Sequence, residues 1–167
     1  MAPAAVFVGA PGAGKSTIGE AVAGRLGLPF RDVDTIIEEK AGKPIPEIFF
    51  DDGEDAFRAL ERETIAEALG EFDGILALGG GAILHERTRE LLASQTVVYL
   101  SVELSDAVKR VGLGGGRPLL AINPRATLKY LLDQRRPLYA SVATHSVVTD
   151  GREPEEIAAE VAALLKV

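Results

Sequence analysis

Apolar residues along this chain fall into short unbroken runs, separated by longer stretches where they recur every three or four positions. Unbroken runs predict buried strands, and the recurrent spacing predicts helices with one face on a core. The runs are AAVFVG (4–9), PFRDVD (29–34), GILALGGGA (74–82), TVVYLSV (96–102) and HSVVTD (145–150). Between the first two, KSTIGEAVAGRLG sets Ile18, Val22 and Leu26 at helical spacing, with Gly27 placed to stop the helix. TIIEEKAG also reads as a helix, and so does the long segment 46–72 beyond Gly53, with Phe57, Leu60, Ile65 and Leu69 towards one side. HERTRELLAS, LSDAVKRV, the segment from Pro124 at least as far as Arg136, and PEEIAAEVAALLKV complete the helices. Alternating strands and helices predict a three-layer α/β/α fold with a central five-stranded parallel sheet.

Composition narrows this picture. The chain has 167 residues, enough for one domain over 1–167, with no internal repeat and no linker. No apolar run approaches the roughly 20 residues of a membrane span, no signal-peptide pattern is present, and there is no cysteine. These features suit a cytoplasmic protein without a membrane partner. The net charge of −7 argues against nucleic-acid binding. Yet Lys109, Arg110, Arg117, Arg125, Lys129, Arg135 and Arg136 lie together with Asp133 as their one acidic neighbour. Positive charge gathered in one segment of an acidic chain suits a small anion.

A site for that anion is visible in GAPGAGKST (9–17), which meets the pattern G-x-x-x-x-G-K-[ST] through Gly9, Gly14, Lys15 and Ser16. Glycines here let backbone N–H groups converge on phosphate oxygens, and the following helix adds its unpaired N–H groups. Lys15 reaches the β- and γ-phosphates and Ser16 a magnesium ion. No N-K-x-D segment for reading guanine and no L-S-G-G-Q signature accompanies the loop, which leaves the small-molecule and nucleotide kinases. Asp32 and Asp34, two apart at the end of the second run, are expected to point to one face at the C-terminal edge of the sheet. Carboxylates there can hold magnesium or accept the proton of an attacking hydroxyl.

The ordered set GAPGAGKST, DVD, IFFDDGEDAFRALE, LGGGA, GGGRPLL and RRPLY resembles shikimate kinase over essentially the whole chain. The resemblance implies a P-loop NTPase fold of the nucleoside-monophosphate-kinase-like type with a mobile lid at 112–124 and a shikimate-binding segment at 32–61. It implies ATP as co-substrate, one Mg²⁺ per subunit, and transfer of phosphate to the 3-hydroxyl of shikimate. By the same resemblance Asp34, Arg58, the loop Gly79, Gly80 and Gly81, and Arg135 form the shikimate site, the two arginines clamping its carboxylate. Asp34 is the base or the orienter of the 3-hydroxyl. Glu61, one turn from Arg58, fixes that arginine's direction. Phe49 and Phe57 wall the ring, or serve as plain core.

On the ATP side the resemblance assigns Gly12, Ala13, Gly14, Lys15, Ser16 and Thr17 to the phosphates, and Arg117 to the lid. Lys15, Asp34 and Arg117 are its catalytic residues. Arg110, with Arg152 and Pro154, resembles an adenine clamp, while Ser16 and Asp32 hold the metal. One departure concerns the second clamping arginine, since Arg136 adjoins Arg135 and points about 100° away on a helix. Counting back from Pro137 selects Arg135. His85 and His145 read as structural or surface residues. A sister kinase for gluconate is the alternative acceptor reading, and nothing apolar and exposed argues against a monomer.

Overall fold

The computed structural model describes residues 3–10, 13–102 and 124–165. The expected helix 104–111, all but the last residue of the segment 112–124, and with them Gly12, Arg110 and Arg117 lie outside the described residues. Five strands form, each inside one of the expected runs: β1 (Ala5–Val8), β2 (Phe30–Asp32), β3 (Ile75–Ala77), β4 (Val97–Ser101) and β5 (His145–Val148). They make one parallel sheet in the order β2-β3-β1-β4-β5. The helices are α1 (Lys15–Leu26), α2 (Val33–Ala41), α3 (Ile45–Asp52), α4 (Glu54–Glu71), α5 (Glu86–Leu92), α6 (Pro124–Val142) and α7 (Pro154–Leu165). A 3₁₀ turn (Ala82–Leu84) precedes α5.

The sheet is apolar because it is covered. Every residue of β1 and β3 is buried, as are Val97 to Leu100 of β4, so these strands carry no alternation of polar and apolar positions. α1 and α7 pack against each other, α2 and α3 pack on α4, and α6 reaches both β4 and the 3₁₀ turn. In α4 the buried positions are Phe57, Glu61, Thr64, Ile65, Ala68 and Leu69, a stripe of helical period that contains one carboxylate.

The second strand is shorter than its run. It stops at Asp32, which becomes the N-cap of α2 by accepting a hydrogen bond from Asp34 N–H (2.8 Å). Asp34 therefore stands in the first turn of a helix and not on the strand, contrary to the reading of DVD as strand. A capping carboxylate two residues before its donor competes with the ladder, and the cap wins here. The helix expected beyond Gly53 is α4, and a second helix, α3, precedes it; the two are separated at Gly53, whose φ of 89° lies where a side chain is strained. α6 runs through Pro137 to Val142 although proline lacks the N–H that an interior helical position needs. Tyr139 is fully buried in the core on its far side, and Leu138 packs against that core.

Ile65 is fully buried in the middle of α4. Ile65→Ala should cost about 2–5 kcal/mol of unfolding free energy, read from urea denaturation followed by circular dichroism. A cost under about 1 kcal/mol would mean that α4 is not held by this stripe.

Candidate active site

Three parallel strands bring their C-terminal ends to one level. Ala77 of β3 pairs with Asp32 of β2 on one side and with Phe7 of β1 on the other. The segments leaving the sheet there carry Asp34, Gly79 and Gly9. The order of the sheet also turns at β1: the chain first works to one side, through β2 and β3, and then crosses to β4 on the other. Such strand ends are where open α/β sheets bind ligands.

The phosphate-type loop rises from β1. A Cβ on Gly9 would lie 2.6 Å from the Leu100 carbonyl oxygen, so only glycine lets the loop pass the next strand this closely. Gly14 caps α1 with φ 87°, in the left-handed region. The first turn of α1 contains no acidic residue of its own. Lys15 is buried and donates to the carbonyls of Gly9 (2.8 Å) and Ala10 (3.0 Å), folding its ammonium back over the loop. Ala13, Gly14 and Thr17 line a cavity of about 410 Å³ with Ile18, Ile157, Arg152 and Pro154. Arg152 is braced there by Glu156 (3.3 Å), Glu160 (2.7 Å) and the Val148 carbonyl (2.9 Å).

Asp32 joins this loop to the rest of the site. One carboxylate oxygen accepts the Asp34 N–H and the other accepts the hydroxyl of Ser16. Ser16, Asp32, Glu20 and Thr35 border a further cavity of about 300 Å³. A hydroxyl and a carboxylate side by side are hard oxygen donors, and a magnesium ion that keeps several waters needs few protein ligands of this kind. Among the described residues no group of three or more His, Cys, Asp and Glu could hold a metal. The pair thus fits an ion completed by water and phosphate.

Beyond Asp34 lies a buried charged cluster. Arg58 donates to Glu61 (2.8 Å) and approaches Glu54 (3.6 Å) along α4. Its guanidinium lies 5.1 Å from the Phe57 ring centroid, and Phe57 stands 4.8 Å from Phe49. Phe57 belongs to the core, and Phe49 packs half-buried against it. Arg135 is 95% buried, being 5% exposed, whereas its neighbour Arg136 is half-buried and donates to the Val102 carbonyl (3.5 Å). Of the two, Arg135 turns to the cluster.

Electrostatics tie these residues together. Burial pushes the Glu61 carboxyl above its ordinary value, Arg58 and Arg135 oppose that rise, and the nearby Asp34 adds to it. Gly79, Gly80 and Gly81 are all buried against this cluster. A Cβ on Gly79 would lie 2.9 Å from Asp34 Oδ1 and 3.1 Å from Glu61 Oε2. One on Gly81 would lie 2.6 Å from the Arg58 guanidinium. On its outer side the cluster opens into a cavity of about 340 Å³, bordered by Arg58, Glu61, Arg62, Gly81 and His85. His85 itself accepts from Arg87 N–H at the start of α5, a structural role.

Sequence reasoning passed over Tyr139. It is 1% exposed, donates to the Gly80 carbonyl (2.5 Å), and stacks on Tyr99 of β4 with centroids 5.1 Å apart. Burial raises its hydroxyl pKa to about 12 against the opposing charge of Arg135. The signal was present as the last letter of RRPLY.

Known proteins resemble this chain in sequence and in fold. The family model described as shikimate kinase matches residues 11–166. A shikimate kinase of Salinispora arenicola is 67% identical over 165 residues, covering 99% of each chain. Among solved structures, the shikimate kinase from Acinetobacter baumannii in complex with shikimate superposes with a TM-score of 0.94 at 36% identity. That match covers 99% of this chain and 93% of the other. A gluconokinase from Sinorhizobium meliloti, at 20% identity and TM-score 0.58 over 96% and 90% of the two chains, shares the fold. The chain belongs to the shikimate kinase family, and its fold is that of the P-loop kinases.

The raised Glu61 pKa has a measurable sign. Between the ordinary glutamate value and the raised one, the folded chain holds more protons than the unfolded chain. The stability due to this group is therefore full at low pH and is lost as pH rises through that window. Glu61→Gln removes the titration. Urea denaturation from about pH 4 to about pH 7 should show the wild type losing stability relative to the variant as pH rises. A difference moving in the wild type's favour would mean a depressed pKa.

Proposed function

We propose that this member of the shikimate kinase family transfers the γ-phosphate of ATP to the 3-hydroxyl of shikimate, yielding shikimate 3-phosphate on the route to chorismate and the aromatic amino acids. The observation that carries the reading is the convergence of Asp34, Arg58 and Arg135 on one glycine-lined edge of the sheet, next to the loop of Lys15. The complex of the Acinetobacter relative with shikimate supports it. The sequence 1–167 acts as one catalytic domain, as a cytoplasmic monomer, with residues 32–61 supplying much of the acceptor site.

The acceptor is held by charge and shape. Arg58 and Arg135 present planar forks that match a carboxylate bidentately, and Glu61 holds the Arg58 fork in place. Phe49 and Phe57 give the ring an apolar wall. Asp34 accepts the proton side of the 3-hydroxyl, orienting its oxygen at the γ-phosphorus and taking the proton as the new P–O bond forms. Backbone N–H groups of residues 12–17 cradle the phosphates, and Lys15 exchanges the carbonyls of Gly9 and Ala10 for the β- and γ-oxygens. Arg117 neutralises the transferring group from the lid at 112–124, and Arg110, Arg152 and Pro154 hold the adenine. Ser16 and, through water, Asp32 would hold Mg²⁺, which when bound neutralises phosphate charge and orients the leaving group. Positioning and charge neutralisation supply most of the rate, because phosphoryl transfer asks for little covalent help.

Purified protein should release ADP faster with shikimate than with quinate, gluconate or no acceptor, in a coupled spectrophotometric assay. Turnover indifferent to shikimate would sink the reading, and preference for gluconate would transfer it to the sister kinases. Lys15→Ala should lower kcat by about 10²- to 10³-fold, as removal of one preorganised donor does elsewhere. Arg58→Ala should instead act mainly on the acceptor, raising KM for shikimate about ten- to a hundredfold while KM for ATP holds.

A further inference from the structure

The three carbonyls of the glycine loop have three different partners. Gly79 O accepts from Ala82 N–H (3.1 Å) and Gly81 O from Leu84 N–H (3.2 Å), both within the turn that leads into α5. Gly80 O is different: its donor is the phenol of Tyr139, fifty-nine positions along the chain, at 2.5 Å. The middle carbonyl of the loop is thus the one set by tertiary structure.

A trans peptide is rigid, so holding a carbonyl fixes the N–H on the opposite side of the same plane. Tyr139 holding Gly80 O thereby aims the N–H of Gly81. Among the described residues nothing accepts from that N–H. With no Cβ at positions 79 and 81, the strip facing Asp34, Glu61 and Arg58 is bare backbone. The Tyr139 ring is itself fixed, being stacked at 26° on Tyr99 of β4 and buried. Its hydroxyl lies beside Arg135, one helical turn earlier on α6. One side chain therefore ties the loop, the second arginine and the sheet into a single rigid group.

We infer that Tyr139 is a positioning residue for the acceptor: its bond to Gly80 O sets the Gly80–Gly81 peptide and keeps it in register with Arg135. This rests on the proposed function only for the identity of the acceptor. No ionisation of the phenol is involved. The group works as a donor of fixed direction, which is why a phenol and not a smaller hydroxyl is needed to span from α6 to the loop.

Tyr139→Phe keeps the ring and its stacking and removes the donor alone. In steady-state assays KM for shikimate should rise about three- to tenfold, while kcat falls less than twofold and KM for ATP is unchanged. A merely structural tyrosine would instead lower the melting temperature and disturb both substrates together. Amide hydrogen exchange gives a reading free of substrate: Ala82 and Leu84 should exchange about tenfold faster in the variant, with β3 unaffected. An unchanged KM for shikimate, parallel rises in both KM values, or unchanged exchange at Ala82 and Leu84 would each overturn the inference. Wild-type protein inactive on shikimate would overturn the proposed function, and the exchange result would still decide whether Tyr139 anchors the loop.

Discussion

Everything at this sheet edge depends on how one carboxylate is shared. Asp32 ends β2, caps α2 through Asp34 N–H, and receives the Ser16 hydroxyl from the first turn of α1. Two helices from different parts of the chain thus start from one anion, one presenting phosphate donors and the other an acceptor carboxylate. The sheet sets the height of Asp32 through its pairing with Ala77, and Ala77 in turn is paired with Phe7 below the phosphate loop. The phosphate-type loop follows β1 and Asp34 follows β2, and β3 is hydrogen-bonded between these two strands. For a reaction governed by the alignment of attacking oxygen, phosphorus and leaving oxygen, that shared footing matters more than any single contact.

The cost of the arrangement is buried charge. Glu61, Arg58 and Arg135 lie largely out of water, and a buried ion pair is worth little to stability by itself. The chain tolerates the cluster because each charge has opposite charge near it and because α4, otherwise an apolar stripe, anchors it. Glu61 faces both arginines and Asp34, so its surroundings pull its proton affinity in both directions. Among the described residues the buried charged side chains are Lys15, Glu61 and Arg135.

Much of this was legible in the sequence because it was written in local terms. Five apolar runs gave five strands, and the spacing of Gly9, Gly14, Lys15 and Ser16 gave the loop. What escaped depended on competition or on distance. DVD reads as strand until the Asp32 side chain is allowed to bond the backbone two residues on. Pro137 leaves the end of α6 open until Leu138 and Tyr139 find the core beyond it. Arg135 was selected over Arg136 by counting back from Pro137, and the packing of α6 adds that Arg135 is the buried one of the two. Tyr139 looks like an ordinary apolar residue of a helix, and only the placement of a loop fifty-nine residues earlier gives its hydroxyl a purpose.

The glycines at 79 and 81 usually would be taken as a source of looseness. Here they are better described as reserved volume, since the space a methyl group would take is filled by Asp34 and Glu61 at one and by Arg58 at the other. A side chain at 81 would therefore require the Arg58 guanidinium to shift. A lineage that abandoned the arginine would be freed to put a side chain at 81, and one that first put a side chain there would have displaced the arginine. A residue change at 81 thus acts on the placement of Arg58, so loop and helix together set this side of the pocket.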